Sequence, residues 1–148
     1  MRDVRVTASG FSPASAIAGL AKAFPDAGGL ASFVGRVRQG DSVKALELTQ
    51  YEPLTLPGME TLAEEAETRF APRGLLAWHR VGVMTPGTAI VAVAAAADHR
   101  RAAFDTVDFL MDHLKSAAWF WKRERRADGW HWIEPRPDDY AALERWRK

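Results

Sequence analysis

The ten residues from Thr88 to Ala97, Thr-Ala-Ile-Val-Ala-Val-Ala-Ala-Ala-Ala, carry no charge and no side chain larger than isoleucine. Four are β-branched, which favours extended backbone, and the run lacks the polar alternation of a half-solvated strand. Thr85-Pro86-Gly87 turns the chain just before it and Asp98 follows it. This pattern predicts a central strand, and the rest of the chain has to be arranged around it.

On either side the periodicity changes repeatedly. Asp3–Thr7 alternates as a short strand. Ser12-Pro13 opens a helix, with serine as N-cap and proline at the first helical position, and Ile17, Leu20, Ala21 and Phe24 form its apolar stripe. Leu30–Arg38 reads as a strand in which Gly35 allows a bulge, Gly40-Asp41 as a turn, and Val43–Tyr51 as a returning strand. Met59, Leu62, Ala63 and Ala66 mark a helix over Leu56–Phe70, ended by Pro72-Arg73-Gly74. Leu75–Val83 reads as one strand. Asp98 is placed to cap a helix whose inner face is Ala103, Val107, Leu110, Met111 and Leu114. Trp119–Arg126 and Trp130–Glu134 flank Asp128-Gly129 as a hairpin, and Asp138 or Asp139 opens a last helix to the C-terminus. The expected order is β-α-β-β-α-β-β-α-β-β-α. Hairpins outnumber helical crossovers, so the expected class is α+β with a largely antiparallel sheet and flanking helices, in one domain spanning 1–148.

Composition narrows the chemistry. A net charge of +1 gives no general basic field for nucleic acid, although Trp119, Trp121, Trp130 and Trp132 are of a type that stacks bases. With no cysteine there is no disulfide, no thiolate metal site and no sulfur carried on the chain's own thiol. His79, His113 and His131 lack the mutual spacing of a metal site, and no phosphate loop, dinucleotide fingerprint or nucleophile elbow occurs, so neither a metal nor a cofactor is expected. No secretory leader pattern opens the sequence and no apolar run approaches the roughly 18 residues of a membrane span, which points to the cytoplasm and away from a membrane partner.

Two stretches break local rules. Around the aromatic block Trp119-Phe120-Trp121 stand Lys115, at the end of the apolar helical pattern, and Lys122, at the start of a strand entering the core. An ammonium beside apolar walls loses hydration, its pKa falls, and it becomes a better base or nucleophile. The plainer alternative is a helix-dipole partner and a snorkelling side chain. Up to about 24 Å of extended chain separates the two, so joint action requires a reversal after Ser116, which Ala117-Ala118 permits sterically. The second stretch is Asp98-His99-Arg100-Arg101, which puts cations in a first helical turn that prefers acids; a bound phosphate or carboxylate resolves that conflict, as do ion pairs to Asp98 or Asp105. Arg36 and Arg38 share one strand face and could extend the same cationic surface. Arg136, between two prolines, sits on a segment suited to lie as an arm on another surface.

Several motifs then occur in order: Phe33-Val-Gly-Arg-Val-Arg38, His79-Arg-Val-Gly82, His99-Arg100 with Ala103-Phe104, Met111-Asp-x-Leu-Lys115, and Phe120-Trp-Lys-Arg-Glu124. Together, from about Gly29 to Trp146, the chain resembles the large, catalytic subunits of molybdopterin synthase. The resemblance implies an α/β-hammerhead fold and a homodimer, each protomer binding a small ubiquitin-like sulfur-carrier subunit. The carrier's Gly-Gly tail ends in a thiocarboxylate, and two sulfurs pass in turn to cyclic pyranopterin monophosphate to make the molybdopterin dithiolene. It implies that Lys115 and Lys122 are the essential lysines, with their individual roles open. It implies further that Arg38, His99 and Arg100 belong to the substrate and anion pocket, that Phe33 and Met111 lie beside the carrier tail, and that Arg136 comes from the neighbouring protomer. The sequence departs from the family at Trp119, where proline is common, and at Thr49–Leu54, changes that bear on that edge of the pocket and on how Arg38 is aimed.

Overall fold

A computed structural model describes residues 1–40, 42–116 and 119–147. The elements, in chain order, are β1 (Arg2–Thr7), α1 (Pro13–Ala23), β2 (Gly29–Arg36), β3 (Ala45–Gln50), α2 (Glu52–Phe70), β4 (Gly74–Arg80), β5 (Gly82–Met84), β6 (Ala89–Ala97), α3 (Arg100–Ser116), β7 (Phe120–Arg126), β8 (Gly129–Ile133) and α4 (Pro137–Ala142), followed by a 3-10 turn, Leu143–Trp146. The class is α+β, but the strands form two four-stranded sheets rather than one. The first has the order β1-β4-β6-β2 and the second β5-β3-β7-β8. Among the described residues only β1 and β4 pair in parallel; the other strand pairs run antiparallel.

The uncharged run takes the interior place its composition predicts. β6 lies between β4 and β2, and Val91–Ala97 are all buried. Alternation sends Ala92, Ala94 and Ala96 toward α1, where they meet Ala16 and Leu20. Val91, Val93, Ala95 and Ala97 face α2 and α3, against Met59, Leu62, Ala63, Ala66, Ala103, Val107, Phe109 and Leu110. Alanine on the α1 face lets that helix approach closely, while the larger side chains on the other face fill the space under two helices. On α1 the stripe is narrower than its spacing suggested: Ala16 and Leu20 are buried, Ile17 and Phe24 are half-buried, and Ala21 is exposed. On α3, Thr106 and Phe109 join the inner face, while Met111 is only half-buried because it borders a cavity.

The division into two sheets begins at Gly82. The single strand expected over Leu75–Val83 bends there, at φ +97°, a conformation glycine adopts without a side-chain clash. β4 stays in the first sheet; β5 leaves to pair with β3 in the second. Gly35 supplies the expected irregularity in β2, where the register against β6 shifts between Gly35 and Arg36.

α2 starts at Glu52, a turn earlier than Leu56, because its first turn is tied to Trp119, the residue just before β7. The buried Thr55 hydroxyl lies 2.9 Å from the carbonyl oxygens of both Tyr51 and Trp119, and the Tyr51 N–H donates to Trp119 O at 3.1 Å. The Trp119 indole lies against Gly58, where a Cβ would come within 2.6 Å of the indole Nε1. Gly58→Ala therefore forces an overpacking cost of about 1–3 kcal/mol against roughly 1 kcal/mol gained in helix propensity. The expected outcome is a melting temperature lower by a few degrees; an unchanged or raised value in a thermal melt contradicts this packing.

The C-terminal segment is shorter and more irregular than the expected helix. It is held by α3: the Asp112 carboxylate accepts from Arg145 Nε (3.0 Å), Arg145 Nη2 (2.6 Å) and Trp146 Nε1 (2.7 Å), and the Trp146 ring packs edge-on against Phe70 and Phe109. No helix among the described residues is long and apolar enough to cross a membrane.

Candidate active site

Between the two sheets, under the C-terminal end of α3, lies a cavity of about 310 Å³. Its walls follow from strand parity. On β7, Phe120 and Lys122 share a face, with Lys122 in register with Leu48 of β3 and Ile133 of β8, and all four line the space. From the first sheet come Phe33 and Gly35 of β2, Val91 of β6 and His79 of β4; α3 contributes Met111, Leu114 and Lys115. Gly35 keeps this wall thin, because a Cβ there would meet Val91 Cγ1 at 2.8 Å. Arg36 ends β2 and Arg38 follows it, both reaching the cavity, while Val37 between them is buried and bonded through its backbone to Thr88 and Gly87.

The cavity thus unites six of the residues singled out in the sequence: Lys115, Lys122, Arg36, Arg38, Phe33 and Met111. The Ala117–Ala118 bend expected to bring the lysines together lies outside the described residues. The two lysines differ in setting. Lys115 is exposed at the end of α3. Lys122 is half-buried, and burial, reinforced by the positive charge of Lys115, holds its ammonium below the usual lysine range, against the opposing pull of Asp139 and Glu124.

His99 and Arg100 are not at this cavity. They sit at the opposite end of α3, about 22 Å away along its axis, exposed to solvent. The carboxylate of Asp98, the residue expected to cap α3, pairs with Arg73 Nε at 2.5 Å. Arg101 reaches Asp105 at 3.8 Å, whereas Arg100 has no ion-pair partner among the described residues. Arg36 and Arg38 therefore extend the lysine pair rather than the His99–Arg100 surface. Arg136 immediately follows the cavity-lining Pro135 and bears electrostatically on Lys122 of its own chain; its backbone N–H donates to Asp139 Oδ2 at 3.0 Å.

In the sequence His79 heads the motif His79-Arg-Val-Gly82 and lacks the spacing to His113 and His131 that a metal site needs. Among the described residues no three His, Cys, Asp or Glu side chains cluster as a metal site would require. What His79 does is line the cavity at 7% exposure, its ring stacked on Phe120 with centroids 4.0 Å apart and planes 19° apart. Its signal was parity: on β4 it follows Leu75 and Ala77 on the inward face. Burial pushes the imidazole down to about 4, the nearby Lys122 and Lys115 push the same way, and the bond to Arg80 O opposes them. The unfolded ring titrates near 6.5, so between pH 6.5 and 4 the unfolded chain binds more protons and the fold loses stability as pH falls, by about 3 kcal/mol. His79→Phe is expected to flatten that part of the pH–stability curve. Urea titrations at both ends of the window check this, and equal losses in both proteins contradict it.

Fold and site together define a two-sheet α+β protein with a cationic, thiol-free cavity between its sheets. The family described as MoaE protein matches residues 6–117. The chain is 43% identical over 145 residues to the molybdopterin synthase catalytic subunit of Caulobacter vibrioides, covering 97% of this chain and 96% of that one. The molybdopterin biosynthesis MoaE protein from Burkholderia ambifaria MC40-6 matches in structure with a TM-score of 0.83 at 41% identity, over 99% and 98% of the two chains. A complex of subunits 1 and 2 of the molybdopterin-converting factor from Helicobacter pylori matches with a TM-score of 0.75 over 91% of each chain; at 18% identity this is a likeness of fold. The chain belongs to the MoaE family, that of the molybdopterin synthase catalytic subunits.

Proposed function

We propose that this chain, residues 1–148 acting as one large-subunit domain, is a cytoplasmic sulfurtransferase. It takes sulfur from the C-terminal thiocarboxylate of a small ubiquitin-like carrier and delivers it to cyclic pyranopterin monophosphate, forming the molybdopterin dithiolene. The observation that carries this reading is the meeting of Lys115, Lys122, Arg36 and Arg38 in one cavity with an apolar wall of Phe33 and Met111. A thiol-free chain needs its sulfur from outside. Both the donor tail and the substrate phosphate are anions, and guanidinium forks and ammonium groups hold anions by charge-assisted hydrogen bonds. In this account Phe33 and Met111 bound the path of the Gly-Gly tail, and Arg38 holds phosphate together with the arginine at position 136 that the resemblance assigns to the neighbouring protomer. Lys115 stabilises charge on the thiocarboxylate, while the desolvated Lys122 gives up and regains a proton.

His99 and Arg100 are too far from the cavity of their own chain to share its ligand. We assign them to the cavity of a second copy in a homodimer, with one carrier bound to each protomer. The experiment is reconstitution from purified chain, thiocarboxylated carrier and precursor. Product is expected only from the complete mixture. A chain that binds the carrier and yields no product in that mixture is a scaffold, and the proposal fails.

A further inference from the structure

The polar side chains lining the cavity are unequal in kind. In their charged forms Arg36, Arg38, Lys115 and Lys122 are donors only; they then hold the oxygens of an anion and accept nothing. Among the described residues that line it, and with both lysines charged, the side chain able to accept a hydrogen bond is His79, apart from the weakly accepting Met111 thioether. Its tautomer is set by its neighbour. Nδ1 lies 3.0 Å from the Arg80 carbonyl oxygen, and since a carbonyl only accepts, Nδ1 carries the hydrogen. In the neutral ring Nε2 is then a lone pair. It has no protein partner among the described residues, and it is not among the buried side-chain nitrogens left unpartnered, which are Trp78 Nε1 and Arg80 Nε. The stack on Phe120 fixes the ring plane, so the lone pair has a set direction.

We infer that His79 Nε2 accepts a hydrogen bond from an N–H of the ligand seated between Lys115 and Lys122. A cavity built from donors alone would bind any small anion. One fixed acceptor among them selects an anion that also carries an N–H, and rejects one presenting an oxygen lone pair at that point. Two ligands of the proposed reaction have such a group: the carrier tail has backbone amides and the pterin precursor has ring N–H groups. The inference rests on the cavity being the reaction site proposed above.

The test uses the full chain and measures binding of two probes separately by calorimetry: the carrier with its ordinary Gly-Gly carboxylate, and the precursor. His79→Phe keeps a flat ring on Phe120 and lacks the acceptor; His79→Gln keeps an acceptor and lacks the ring. His79→Phe is expected to weaken one of the two probes about tenfold, the size of a lost hydrogen bond to a buried N–H, with His79→Gln restoring most of it. The probe that weakens identifies the donor. Wild-type affinity for both probes in His79→Phe overturns the inference, as does equal loss in the two variants, which would mean that the ring serves only to stack. Should His79→Phe not fold, the 15N resonance of Nε2 in the wild-type chain gives the answer: a shift on adding one probe supports the bond, and no shift with either overturns it. Lys115→Ala measured alongside separates the claims. If it loses turnover while His79→Phe binds both probes normally, only the role of His79 fails; if it turns over like wild type, the site itself is wrong.

Discussion

Lys115→Ala is expected to lower product formation by about 10²–10⁴-fold, the range seen when a positioned ionic or proton-transferring group is removed, while leaving the fold and the carrier affinity close to wild type. The separation is possible because Lys115 is exposed in the last turn of α3 and contributes little to the core, which at that point is made by Leu114 and Leu110. Its loss leaves the tail's apolar wall, Phe33 and Met111, intact. Thermal melts and carrier titrations establish the controls, and turnover in the reconstituted mixture is the readout. Wild-type turnover removes Lys115 from the mechanism.

The second large effect has two parts that oppose each other. Lys122 is held below its ordinary pKa of 10.5 chiefly by burial, so the unfolded chain binds more protons than the native one between the lowered value and 10.5. Stability contributed at this position rises with pH through that window, and at neutral pH the native state carries the cost of a half-buried ammonium. Lys122→Met keeps the apolar stem among Leu48, Phe120 and Ile133 and removes the charge. It is expected to raise the melting temperature, at about 2–4 °C per kcal/mol relieved for a chain of this size, and to lower turnover at least a hundredfold. The stability gap between variant and wild type narrows as pH approaches 10.5. Lys122→Arg, which keeps charge but cannot release a proton, separates binding from proton transfer: near-normal carrier affinity with lost turnover is expected. A destabilised Lys122→Met at neutral pH contradicts the burial argument.

How much of this was legible depends on whether the signal was local. The β6 run, the α2 stripe Met59-Leu62-Ala63-Ala66 and the Asp128-Gly129 hairpin were plain because periodicity and turn chemistry act within a few residues. The split into two sheets was not, because Gly82 reads as one glycine inside an apolar strand and only its positive φ shows the bend. The early start of α2 depends on Thr55 and Gly58 meeting Trp119 more than sixty residues away, which no window along the chain contains. The cavity was half legible. Lys115 and Lys122 stood out by breaking local rules, and strand parity could have added His79. The ion pair of Asp98 with Arg73 was not legible either, because the two are distant in sequence. His99 and Arg100 were grouped with the lysines by the family resemblance, yet helix length alone sets them about 22 Å apart within one chain.

The most direct test of the account is the intact mass of the carrier after incubation with this protein and the pterin precursor. Wild-type protein is expected to convert the carrier's thiocarboxylate to carboxylate only when precursor is present, two carriers for each molecule of product, and Lys115→Ala to leave the sulfur on the tail. A carrier that keeps its sulfur with wild-type protein and precursor, or loses it equally fast with Lys115→Ala, contradicts the claim that this cavity transfers sulfur.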